Sequence, residues 1–231
     1  MPRRTPEALI SAEAVRDRLH RGPDRLSGVE IRELKIPDSY EVTPRLFGDS
    51  RGTFLETYRA DRLAEAVGHP LSLSQSNTSI SKRGVVRGIH FADVPPSQAK
   101  YVTAMRGAVI DFIVDIRVGS PTFGQWDSVL LDDVDRRSVY IAEGLGHCFV
   151  ALTDDATVHY LVTAPFDAAR EHGINPLDAE IGLEIPSAAG ELVLSPKDLE
   201  APTLAGAREA GLLPSWDACR AYYAELDERE R

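Results

Sequence analysis

Between residues 109 and 163 the sequence breaks into short apolar segments set close together, and this limits the possible folds more than any other feature. The stretch 109–116 is the clearest. Ile110, Phe112, Val114 and Ile116 fall on one face, with Asp111 and Asp115 on the other. That is the period-two pattern of a strand. Similar segments follow at 128–131, 138–142, 148–152 and 157–163. Turn residues separate them at Gly119-Ser120-Pro121, Asp132-Asp133, Glu143-Gly144 and Thr153-Asp154-Asp155. Many short strands at such spacing predict an all-β, antiparallel sandwich or barrel. Two helical stretches interrupt the pattern, over 59–67 and 216–225, the second with Ser215 as its N-cap.

A chain of 231 residues is the size of one fairly large domain. Residues 1–28 read as an appendage. A short amphipathic helix is predicted there over 11–20, with Val15 and Leu19 as its apolar face, punctuated by Gly22-Pro23 and Ser27-Gly28. Residues 29–200 form the β domain, and 201–231 a helical segment packed on it. No apolar run approaches the ~20 residues that span a bilayer. The basic start, Met1 to Pro6, lacks the apolar core of a signal peptide. The net charge of −10 argues against nucleic acid as a partner. A few local arginines can still hold a small anion. Cys148 and Cys219 stand far apart, so no disulfide framework is expected and a reducing cytoplasm fits.

The chemistry centres on His90, in Arg87-Gly88-Ile89-His90-Phe91, with Lys100 ten residues later. Tyr160 lies on a strand in which Val158, Tyr160 and Val162 share a face and His159 takes the other. Asp178 is downstream. A base, a cation, a phenol and an orienting carboxylate are the groups that move a proton beside a ketone. Taken alone, each has a plainer reading: a structural histidine, a solvated lysine, a core tyrosine with a satisfied hydroxyl. Strict alternation puts Arg87 and His90 on opposite faces, so both can meet one ligand only if the strand bulges near Gly88. Arg51, Arg87 and Arg170 are candidate phosphate clamps, and His147, leading into a strand, is a candidate pocket residue.

These segments resemble the dTDP-4-dehydrorhamnose 3,5-epimerase family of cupin-like sugar-nucleotide epimerases. The resemblance is carried by Asp49-Ser50-Arg51-Gly52-Thr53-Phe54-Leu55-Glu56, Gln75-Ser76-Asn77-Thr78-Ser79, Gly84 to Phe91, Pro95 to Tyr101, Gly119 to Trp126, Glu143 to His147 and Arg170-Glu171-His172. It covers about residues 29–227. It implies a double-stranded β-helix (cupin-like jelly roll) with a few short flanking helices, and a homodimer with strand exchange. It implies no metal and no organic cofactor. The implied activity is epimerisation of dTDP-4-keto-6-deoxyglucose at C3, C5 or both. His90 would be the base, Asp178 its partner, Lys100 the group near the ketone oxygen and Tyr160 the acid on the opposite face. Arg51, Phe54, Glu56, Gln75, Asn77, Arg87 and Glu171 would hold the thymidine diphosphate, some from a neighbouring subunit, with His147 beside the sugar or phosphate. Phe166 stands where the family commonly has a tyrosine, which points to inversion at C3 alone. The other readings are a metal-dependent cupin oxygenase, a sugar 3,4-ketoisomerase and a non-catalytic sugar-nucleotide binder.

Overall fold

In the computed structural model, residues 29–228 are described, so the helix predicted over 11–20 lies outside the described residues. The chain lays down β1 (Glu30–Glu33), β2 (Ser39–Thr43), the pair β3 (Leu46–Asp49) and β4 (Gly52–Leu55), then helix α1 (Ala60–Val67). There follow β5 (Gln75–Ser81), β6 (Val86–Ala92), β7 (Lys100–Arg106), β8 (Ala108–Val114) and β9 (Trp126–Asp132). The last strands are β10 (Ser138–Ile141), β11 (Gly146–Ala151), β12 (Ala156–Val162) and β13 (Glu171–Gly173). A 3-10 turn (Ser187–Ala189) leads into α2 (Pro196–Leu199), α3 (Leu204–Glu209) and α4 (Trp216–Glu228).

Two antiparallel sheets result. One runs β1-β2-β10-β7-β12-β5 and the other β13-β6-β11-β8-β9, with β3-β4 as a separate two-stranded sheet. The crossovers between the large sheets are those of a jelly roll. The alternation in β8 works as read. Ile110, Phe112 and Val114 join Val86, Ile89, Phe91 and Val150 in one cluster, closed by Ile174, Ile181, Leu204 and Ala207 from the C-terminal part. Val109 and Ile113, on the opposite face of β8, join Phe149 and Ala151 with Val102, Ala104 and Val158 of the other sheet. Asp111 lies between Val109 and Ile113 on that interior face.

Helix α4 is held by its own chemistry. The Ser215 hydroxyl accepts the Ala218 N–H at 3.1 Å, so Ser215 caps it, and Cys219 and Tyr223 enter the core. The fully buried Arg117 ties this helix to the barrel. It grips Asp115 through Nε and Nη2, both at 2.9 Å, donates to Asp38 at 2.7 Å, and stacks on the Trp216 ring at 4.5 Å. Burial works against both charges, but each carries the other: the Arg117 guanidinium is held above its ordinary pKa and the Asp115 carboxyl below its own.

Candidate active site

The site is built on facing strands. On β6 the pairing with β11 slips: His90 lies opposite His147, and Arg87 opposite Phe149. Two residues, Gly88 and Ile89, thus face Cys148 alone, which is the bulge the sequence required. Only glycine fits there. Its φ is +134°, and a Cβ would sit 2.5 Å from the His147 carbonyl oxygen. The extra residue restores parity, so that Val86, Ile89 and Phe91 point into the outer cluster while Arg87 and His90 point the other way. Arg87 donates through Nε to the Ser81 hydroxyl at 3.2 Å and adds its charge to the field around Tyr160.

Tyr160 and Lys100 come from the opposite sheet. Tyr160 pairs with Val102 and Lys100 with Val162 in one β7–β12 register, so the two share a face. The Tyr160 ring meets the His147 ring edge-on at 6.1 Å, and its hydroxyl lies 3.4 Å from the Ser79 hydroxyl. Burial raises the phenol well above its ordinary pKa. A neutral, proton-bearing phenol is what a general acid requires. Burial also lowers the Lys100 ammonium, against the opposing pull of Glu171 and then Asp111. His159 points away and meets Thr78 at 3.0 Å.

The partner of His90 is not Asp178. The His90 Nε2 lies 2.7 Å from Asp198 Oδ1, on α2. Asp198 is itself held: Ser195 donates to Oδ2 at 2.9 Å and caps the helix by accepting the Asp198 N–H. Burial acts to raise this carboxyl, but the hydrogen bond and charge of His90, helped by Ser195, outweigh it and leave it below the ordinary range. Asp178 is occupied elsewhere. It accepts the Glu180 N–H at 3.0 Å and the Leu204 N–H at 2.7 Å, fixing a turn and the start of α3.

His147 is also paired, with Nε2 2.8 Å from Asp111 Oδ2. Around the mouth, Gln75 donates to Asn77 at 2.7 Å and accepts the Phe166 N–H at 3.1 Å. Phe166, Arg170 and Glu171 line an adjacent cavity of about 380 Å³ with Gln98 and Pro165. The Phe166 ring is 59% exposed and carries no hydroxyl into it. Arg51, Phe54 and Glu56 are not drawn into this group. Arg51 bonds to Asp49, Glu56 pairs with Arg59, and Phe54, 70% exposed, tilts against Phe47 on the β3-β4 hairpin. Among the described residues no group of three or more His, Cys, Asp or Glu is arranged to hold a metal ion.

A jelly-roll barrel whose interior sets a histidine–carboxylate pair against a buried tyrosine and lysine defines the class of cupin-like epimerases. The chain belongs to the dTDP-4-dehydrorhamnose 3,5-epimerase family, whose model matches residues 33–206. It is 57% identical over 195 residues to the dTDP-4-dehydrorhamnose 3,5-epimerase of Mycolicibacterium smegmatis, covering 84% of this chain and 96% of that one. It is 54% identical over 193 residues to the dTDP-4-dehydrorhamnose 3-epimerase of Streptomyces niveus, covering 84% and 92%. Among solved structures, the 4-keto-6-deoxy sugar epimerase NovW of Streptomyces spheroides superposes with a TM-score of 0.82 at 54% identity, covering 84% of this chain and 97% of that one. ChmJ, a 3'-monoepimerase from Streptomyces bikiniensis in complex with dTDP-quinovose, does so with a TM-score of 0.82 at 42% identity, covering 84% and 98%.

Proposed function

We propose that this protein epimerises a dTDP-4-keto-6-deoxy sugar by proton abstraction and return on opposite faces of the ring. The observation that carries this is that His90, tied to Asp198, and Tyr160 meet at His147 from opposite sheets, His90 as its register partner and Tyr160 edge-on to its ring. The ketone acidifies the hydrogens at C3 and C5, since loss of either gives an enolate. With Nε2 engaged by Asp198, the His90 Nδ1 is the nitrogen that takes the proton. Lys100 meets the growing oxyanion, a contribution of about 3–4 kcal/mol for a well-placed donor. Tyr160 returns a proton from the other side, and such acid–base help is worth roughly 10²–10⁴-fold. Arg87, Gln75, Asn77, Arg170 and Glu171 are assigned to the nucleotide.

The exposed Phe47–Phe54 hairpin and the separate position of Arg51 and Glu56 support a homodimer in which this hairpin completes the site of a neighbouring subunit. No helix among the described residues is long and apolar enough to cross a membrane, and two buried free cysteines fit a reducing cytoplasm.

The test is to incubate the enzyme with dTDP-4-keto-6-deoxyglucose in deuterated water and read deuterium and configuration at C3 and C5 by NMR. Exchange with inversion is the expected result, and no exchange with binding intact overturns the reading. His90→Ala should abolish exchange. Tyr160→Phe should leave exchange faster than inversion. The missing hydroxyl at Phe166 favours a second reading, inversion at C3 alone; a product with C5 retained supports it, and complete double inversion refutes it.

A further inference from the structure

The interior holds two histidine–carboxylate pairs side by side. His90 and His147 are register partners on β6 and β11, and each has its own aspartate. The mechanism above uses the first pair only. The second is the more deeply buried: Asp111 is wholly inaccessible, between Val109 and Ile113 on the interior face of β8.

Stability alone does not ask for a carboxylate there. Burying one is costly, and an apolar residue of similar size usually serves a barrel as well or better. What Asp111 does touch is specific. It lies at 2.8 Å from His147 Nε2; burial raises its carboxyl, and its interactions with His147 and then Lys100 act against that rise in favour of the charged form. Its other oxygen, Oδ1, has no protein partner. We infer that Asp111 is a positioning residue for the epimerisation, acting through His147 and Lys100.

Two effects follow from the geometry. Asp111 fixes the His147 ring with the Nε2 proton on the carboxylate, so that Nδ1 is the nitrogen left for a ligand beside Tyr160. With Glu171, whose pull is the larger, it also gives Lys100 negative neighbours inside the barrel. A buried lysine without one tends to lose its proton, and a neutral amine cannot answer an enolate oxygen. The charged and titratable groups around this pair include Asp111 on β8, Glu171 on β13, Tyr160 on β12, Cys148 on β11, and Arg87 and His90 on β6. Of these, Asp111 hydrogen-bonds to His147 while its charge also acts on Lys100, where Glu171 exerts the larger pull.

This inference rests on the epimerase reading, and its test separates the two. Asp111→Asn keeps shape and removes charge. With dTDP-4-keto-6-deoxyglucose, kcat should fall about tenfold or more while KM stays within about threefold, and the alkaline limb of the kcat profile should move down by about one pH unit. A loss of kcat that merely follows the folded fraction, with the limb unmoved, would make Asp111 structural and overturn the inference. Should the variant fail to fold, 15N-histidine NMR of the wild-type enzyme decides, with His147→Gln assigning the signal. A proton on His147 Nε2 throughout the active pH range is expected, and a neutral ring protonated only on Nδ1 overturns it. Absence of exchange in the wild-type enzyme, with binding intact, would instead strike the epimerase reading itself.

Discussion

Asp198 uses both of its oxygens, one on His90 and one on Ser195, whereas Asp178 spends its own on backbone N–H groups. The two aspartates therefore predict opposite phenotypes. Asp198→Asn should lower kcat by roughly 10²-fold or more, because the base loses the charge that stabilises its protonated form. Asp178→Asn should leave kcat near wild type and cost about 1 kcal/mol of stability, the worth of a helix-start hydrogen bond. Steady-state kinetics and thermal melts on the pair check both. The pH dependence of stability follows from Asp198 as well. Its folded pKa is depressed, so its contribution is complete above the unfolded carboxylate range and is lost as pH falls through the folded value. Melting temperatures of Asp198→Asn should therefore converge on wild type as the solution is acidified through and below the ordinary carboxylate range.

Strand β6 owes its geometry to Gly88. Gly88→Ala would drive a Cβ against the His147 carbonyl oxygen and the Cys148 Cα, in a conformation that side chains resist. A loss of about 2–4 kcal/mol, read by denaturant unfolding, is expected from the disfavoured backbone together with the overpacking. The fold was legible in the sequence because β8 to β12 are short apolar segments set between turns, with period two clear in β8 and around Tyr160, and because the facing of Arg87 and His90 demanded a bulge. β1 to β4 were not, being short and partly exposed, with charged residues that blur alternation. Asp198 was missed for a different reason. It sits on a four-residue helix that carries no periodicity, 108 positions from His90. One signal was available: Ser195-Pro196-Lys197-Asp198 reads as a cap, a proline at the first helical position and an acid in the first turn.

For the whole molecule, the hairpin offers a direct test of assembly. Analytical ultracentrifugation should give a dimer, and Phe54→Ala with Arg51→Ala should weaken substrate binding; a monomer with full activity would refute subunit sharing. The barrel strands supply His90, Lys100 and Tyr160, while Asp198 arrives on the C-terminal segment that closes over the outer cluster. The proposed reaction centre is thus a seam between a cage and its latch. A brief lifting of residues 195–199 would leave every strand in place and yet disarm the base. Heat should accordingly silence turnover at a lower temperature than it melts the β-sheet signal, as expected of a locally opening element. The enzyme's working range would then be set by how firmly its tail stays shut.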